Sequence, residues 1–237
     1  MAGQVYVMQN EVLLAPSILG ADPLNLSFSI DSILGHFDWL HVDVMDGHFV
    51  RNMSFGPAVV EALRKKYPSI FLDVHLMLDA LDVLMPVFVN SGASQVTIHA
   101  EVEPQLLHSR LSNIRDAETK AGVALAPVTP VDYIRLILPI VDTVLLLSVT
   151  PGFGGQKLIG NTLEKARDLA RLRAAEGYNY LIEIDGGINL DNVTQAAGAG
   201  CDVLVMGSAV FSNSDPAGYL KKTRNCLKEA FDNASSR

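Results

Sequence analysis

The sequence predicts an α/β protein: a single (β/α)8 barrel with a parallel eight-stranded core and its active site at the C-terminal strand ends. Two observations carry this. Short β-branched or apolar runs recur about every 25–30 residues, separated by longer segments with helical spacing of apolar residues. The glycine-rich turns come late, after the sixth, seventh and eighth runs, and no Gly-x-Gly-x-x-Gly follows the first. That distribution favours a barrel, although alternation alone does not show closure and a doubly wound open sheet is the alternative.

In chain order the runs are residues 12–18, 39–44, 70–76, 95–99, 121–126, 142–149, 180–185 and 202–206. Several are apolar at consecutive positions, Val144-Leu145-Leu146-Leu147 among them, as expected of parallel strands buried on both faces. Helical spacing is seen at 57–67, 79–90, 130–138 and 162–176. Pro57 and Pro130 suit first-turn positions, where a missing N–H costs nothing, and Gly92 and Gly177 suit helix ends. With no linker, low-complexity tract or charge block, the expected organisation is an N-terminal extension at 1–11, one barrel domain at 12–232 and a polar tail at 233–237.

Of the 237 residues, 49% are apolar and 19% charged, which supplies a buried core and argues against disorder. A net charge of −8 without a Lys/Arg cluster makes nucleic acid or an anionic membrane a poor partner, and points to a small molecule or another protein. Cys201 and Cys226 cannot build a disulfide framework or a cysteine metal site, and are read as reduced thiols of a cytoplasmic protein. Residues 1–10 lack a basic residue and a continuous apolar stretch, unlike a signal peptide. The most apolar window, 133–149, is broken by Arg135, Pro139 and Asp142, unlike a membrane span.

Three strand ends carry the chemistry: His41-Val42-Asp43-Val44-Met45-Asp46-Gly47, Asp73-Val74-His75-Leu76-Met77 and Glu183-Ile184-Asp185-Gly186-Gly187. A strand period of two puts His41 with Asp43, and Asp73 with His75, on one face. A barrel brings His41, Asp43, His75 and Asp185 together, and two imidazoles with two carboxylates suit one divalent ion such as Zn2+, Fe2+, Mn2+ or Co2+. Without a cation, two buried carboxylates would cost several kcal/mol or force one to protonate. Asp46 and His48 are read as turn residues. His99 also falls near a strand end, but no carboxylate partner is read for it and it is assigned to packing.

A second constellation is three glycine loops: Pro151-Gly152-Phe153-Gly154-Gly155-Gln156, Gly186-Gly187-Ile188-Asn189 and Gly207-Ser208-Ala209. Glycine lets backbone N–H groups converge on an anion, and phosphate sites in this fold commonly use the loops after strands seven and eight. No Arg or Lys occurs in these loops before Lys157, so neutral amides would do most of the binding.

These strings, with Ala15-Pro16-Ser17-Ile18-Leu19 and the His48-Phe49-Val50 that continues the second strand end, resemble the ribulose-phosphate 3-epimerases in order from about residue 12 to 211. The resemblance implies a (β/α)8 barrel that interconverts D-ribulose 5-phosphate and D-xylulose 5-phosphate in pentose phosphate metabolism, usually as a homo-oligomer. It implies one divalent metal on His41, Asp43, His75 and Asp185, with Asp43 and Asp185 also the proton-transfer pair and no organic cofactor. Ser17 would contact the sugar, together with His75 and Asp185. Gly152, Phe153, Gly154, Gly155, Gly186, Gly187, Gly207 and Ser208 would hold the phosphate end of the ketose. Met45 and Met77 would lie over the reacting carbons. Leu147 stands where a third active-site Met is usual in the family, Gly20 where Ser is common, Arg51 where Pro is, and Thr150 where Asn or Glu is.

Epimerisation beside a carbonyl removes the C3 proton and returns one to the opposite face, so one acid/base group on each side of the enediolate suffices. A metal at the C2 and C3 oxygens would offset the charge that develops there. Asp43 and Asp185, ending strands two and seven on opposite sides of the ring, suit that division. The rival readings are an epimerase for a hexulose phosphate such as allulose 6-phosphate, a phosphosugar-binding protein without catalysis, and metal-assisted hydrolysis. The resemblance implies a Ser-Cys variant in the hexulose enzymes where this chain has Gly187-Ile188, and intact Asp43 and Asp185 oppose an inactive binder.

Overall fold

The computed structural model describes residues 12–235. Its eight strands are β1 (Leu13–Pro16), β2 (Trp39–Met45), β3 (Phe71–Met77), β4 (Gln95–His99), β5 (Lys120–Leu125), β6 (Thr143–Leu147), β7 (Leu181–Asp185) and β8 (Val203–Met206). They form one sheet in the order β1-β8-β7-β6-β5-β4-β3-β2, and every adjoining pair is parallel. A parallel bridge between Ser17 and His41, with the Asp38 N–H donating to the Leu14 carbonyl at 3.0 Å, brings β1 against β2. The sheet thus curls into the expected barrel rather than the open alternative.

The helices are α1 (Leu26–Asp31), α2 (Pro57–Lys66), α3 (Leu81–Asn90), α4 (Leu107–Asp116), α5 (Thr162–Glu176), α6 (Val193–Gly198), α7 (Ser208–Phe211) and α8 (Pro216–Ser235). Pro57 opens α2, and Gly177 ends α5 in the left-handed conformation at φ 70°. One expectation fails: 130–138 is not an α-helix but part of a 3-10 helix, Val131–Ile140. Its apolar residues Ile134, Ile137 and Leu138 are still buried, so the tighter winding serves the same crossover. Helix α8 continues through 233–235, while 1–11 and 236–237 lie outside the described residues. None of the described helices is long and apolar enough to cross a membrane.

Alternate residues of each strand face opposite ways. Outward-facing Leu40, Val42, Val74, Ile98, Val144, Ile182 and Leu204 join the helices in one continuous core. Inside the barrel the floor is apolar: Leu13, Trp39, Phe71, Leu181 and Val203 pack together, with the Trp39 and Phe71 rings stacked at 4.4 Å. The next inward layer is polar and sealed from water: His41, Asp73, Gln95, Thr143 and Glu183. One step further up are Asp43, His75 and Asp185, because β2 pairs with β3 in the register Trp39–Phe71, His41–Asp73, Asp43–His75, Met45–Met77.

Space inside the barrel is tight at β5, where a Cβ on Gly122 would lie 2.1 Å from Thr97 Oγ1 and 2.9 Å from its Cβ. Gly122→Ala is therefore expected to destabilise the protein by about 1–3 kcal/mol through overpacking. The check is the urea midpoint; an unchanged midpoint would mean the interior has slack there.

Candidate active site

At the C-terminal end of the barrel a cavity of about 290 Å3 is lined by Ser17, Asp43, Met45, Met77, Leu147, Asp185 and all three glycine loops, including Gly152, Phe153, Gly154, Gly155, Gly186, Gly187, Gly207 and Ser208. His41 and His75 lie beneath this lining, fully buried. No lysine or arginine is among the lining residues. Where a Cβ of Gly154 would stand there is open space, whereas one on Gly187 (φ 69°) would meet the Leu158 nitrogen at 2.4 Å. Gly187 is thus needed for the loops after β6 and β7 to pack backbone against backbone.

The carboxylates and imidazoles interlock. Asp43 Oδ1 lies 3.3 Å from His41 Nε2 and 3.1 Å from His75 Nδ1, while Asp43 Oδ2 accepts from Ser17 Oγ at 2.6 Å. Below, His41 Nδ1 faces Asp73 Oδ2 at 2.6 Å; Gln95 Nε2 donates to Asp73 Oδ1 at 2.8 Å, and Thr143 Oγ1 donates to Gln95 Oε1 at 2.7 Å. Burial opposes ionisation of Asp43, but the neighbouring His41 and His75 rings outweigh it and hold the carboxyl well below the usual range. Burial, with the charge of Asp43 added, pushes Asp185 up to about 7. Burial brings His75 down to about 4, so its ring is neutral at pH 7. Glu183 is raised well above its ordinary value, first by burial and then by the charge of Asp73.

The atoms that His41, Asp43, His75 and Asp185 could offer lie within 4.8 Å of one another. Two imidazoles, one with its partner nitrogen held by a carboxylate, and two carboxylates facing a cavity fit a borderline divalent ion. The atoms that His41, Asp73 and Glu183 could offer also lie within 4.8 Å of one another, but these residues are enclosed below the cavity. The first set therefore suits a cation that must also reach a guest.

Asp46 is the expected turn residue: its Oδ1 accepts from the His48 and Phe49 N–H groups at 2.8 and 2.9 Å. His99 needs correcting. It packs against Phe49 with ring centroids 4.5 Å apart, but its Nε2 is also 3.0 Å from His75 Nε2 and its Nδ1 is 3.0 Å from Glu101 Oε2. The carboxylate partner stood two residues along the chain. Asp73, Gln95, Thr143 and Glu183, all inward-facing, were likewise not singled out, although the strand period that grouped His41 with Asp43 applies equally to Glu183 and Asp185.

Compared with known proteins, residues 13–211 match the model of the ribulose-phosphate 3-epimerase family. The ribulose-phosphate 3-epimerase of Mycobacterium tuberculosis is 45% identical over 212 residues, covering 90% of this chain and 91% of that protein. The chloroplastic ribulose-5-phosphate-3-epimerase of Arabidopsis thaliana is 41% identical over 215 residues, 90% of this chain and 76% of that one. Among solved structures, 3-hexulose-6-phosphate synthase from Salmonella typhimurium superposes with a TM-score of 0.71 at 20% identity, covering 92% of this chain and 99% of that one. The 3-keto-L-gulonate-6-phosphate decarboxylase from Vibrio cholerae gives 0.70 at 13% identity, with 94% and 99% covered. These two share the barrel fold.

If the glycine loops hold an anion through their backbone, Gly187→Ala must disturb it by displacing the chain at Leu158. Half-saturation by inorganic phosphate is expected to rise by roughly tenfold, about 1.4 kcal/mol, as read by titration calorimetry. Equal affinity in parent and variant would leave these loops as turns alone.

Proposed function

The chain belongs to the ribulose-phosphate 3-epimerase family, and from that premise we propose that it interconverts D-ribulose 5-phosphate and D-xylulose 5-phosphate, with Asp43 and Asp185 exchanging the C3 proton. The observation that carries this reading is the meeting of these two carboxylates in one cavity, beside the His41 and His75 rings and under the glycine loops. Each carboxyl group can take a proton as a carboxylate and return one as an acid. They come from β2 and β7, three places apart round the ring with β8 and β1 between them, so they approach a flat intermediate from different sides.

The other residues take supporting roles. Ser17, donating to Asp43, fixes the orientation of that carboxylate. Met45, Met77 and Leu147, all buried, exclude water from the reacting face. The loops carrying Gly152, Phe153, Gly154, Gly155, Gly186, Gly187, Gly207 and Ser208 receive the phosphate end, whose remote binding energy orients C3. A divalent ion (Zn2+, Fe2+, Mn2+ or Co2+) held by His41, Asp43, His75 and Asp185 would supply positive charge against the developing enediolate.

Two outcomes are expected. Thorough chelation should abolish epimerisation and any of these ions should restore it; full turnover in protein shown to be metal-free would refute the metal reading. Asp43→Asn and Asp185→Asn should each lower kcat by orders of magnitude, with metal content measured on each variant. A metal-replete variant should still exchange solvent deuterium into C3 of the one epimer its surviving carboxylate serves. Parental epimerisation by either variant would sink the two-base assignment.

A further inference from the structure

His75 has two ring nitrogens with different neighbours: Nδ1 faces Asp43 and the cluster, while Nε2 lies 3.0 Å from His99 Nε2. Two imidazole nitrogens at that distance share one hydrogen, so one ring donates and the other accepts. Which one does is decided at the far side of His99, where Nδ1 meets Glu101 Oε2 at 3.0 Å. A carboxylate accepts, so the His99 proton stays on Nδ1 and its Nε2 is bare. His75 then donates from Nε2, and its Nδ1, which faces the Asp43 carboxylate when no ion is bound, offers its lone pair once an ion takes the place of the proton between them.

Glu101 is itself held in place. Its Oε1 accepts from the Ala126 N–H at 2.8 Å and from Thr129 Oγ1 at 2.5 Å, both beyond the end of β5. Oε2 is thereby left for His99. The chain of contacts runs from the loop after β5, through the end of β4, to a ligand on β3.

We propose that Glu101 and His99 are positioning residues that fix the tautomer of His75 so that Nδ1 is free to bind the ion; this rests on the metal-binding reading above. Neither residue reaches the cavity lining.

The geometry makes an unusual demand on Glu101→Gln. The Ala126 N–H can only donate, so the carbonyl of a Gln side chain must take the Oε1 position and its NH2 must point at His99. His99 Nδ1 then has to accept, its proton moves to Nε2, and His75 is driven to carry its own proton on Nδ1, towards the ion. The isosteric change reverses the whole relay, whereas Glu101→Ala only releases it.

The test is the affinity of metal-stripped protein for Zn2+ and Co2+, measured by competition with a chelator. Parent protein should bind in the tightest range, Glu101→Ala more weakly, and Glu101→Gln most weakly, by roughly 10- to 100-fold relative to parent. In a His99→Phe background, Glu101→Gln should add no further loss, because the relay is already cut. Metal-free unfolding midpoints show that the variants are folded. Nitrogen-15 NMR of zinc-loaded parent protein, which needs no variant, should place the ring protons on His75 Nε2 and His99 Nδ1. The relay is overturned if the protons sit elsewhere, if Glu101→Gln binds as parent does or better than Glu101→Ala, or if its penalty persists without His99. If parent protein binds neither ion, the metal reading falls and the relay with it; if parent binds and only these contrasts fail, the relay alone falls.

Discussion

His41 stands between carboxylates on both sides, with Asp43 3.3 Å from its Nε2 and Asp73 2.6 Å from its Nδ1, and no part of it reaches solvent. Each ion taken out of water costs several kcal/mol after relaxation, so a barrel interior containing Asp43, Asp73 and Glu183 is tolerable only if their charges are shared or removed. The imidazole answers two of these carboxylates at once, and burial opposes the ionisation of Glu183, 3.3 Å from the same ring. Asp185 at the cavity wall then feels mainly burial and Asp43, which is why its acidity differs so much from that of its neighbour. The arrangement above the floor of the barrel follows from where this one ring is held.

The ring is held by register. Parallel pairing of His41 with Asp73 and of Asp43 with His75 places imidazole and carboxylate side by side on two adjoining strands, one level apart. Gln95 and Thr143 extend the lower level round the barrel, each donating to the next, so Asp73 cannot rotate away from His41 without breaking a hydrogen bond. The stacked Trp39 and Phe71 close the floor beneath them. Precise placement of side chains here comes from strands rather than loops, while the backbone-lined part of the cavity comes from loops.

All eight strands, and the grouping of His41, Asp43, His75 and Asp185, were legible in the sequence, because a period of two and a barrel topology are enough to gather strand-end residues. The strand limits read from apolar runs agree with the structure to within two residues, and at β4 they coincide. What stayed hidden depended on contacts across strands. Asp73 and Glu183 look like ordinary strand residues until the barrel is closed and they share a level with His41. His99 looks like packing because its two hydrogen bonds need the χ angles of three side chains to be known together. The 3-10 winding at Val131–Ile140 was obscured by an apolar spacing that both helix types satisfy.

The cavity lining carries no cationic side chain, and the chain as a whole has a net charge of −8. These two facts bear on kinetics rather than on affinity. Neither the lining side chains nor the net charge of the chain draws an anionic guest in from a distance, and added salt screens such long-range terms within about 10 Å at 0.1 M. Capture then begins only once the guest is within hydrogen-bonding distance of oriented amides. An encounter rate set by diffusion and orientation, with little dependence on ionic strength or with a slight rise as salt is added, is the kinetic signature of a pocket built from backbone.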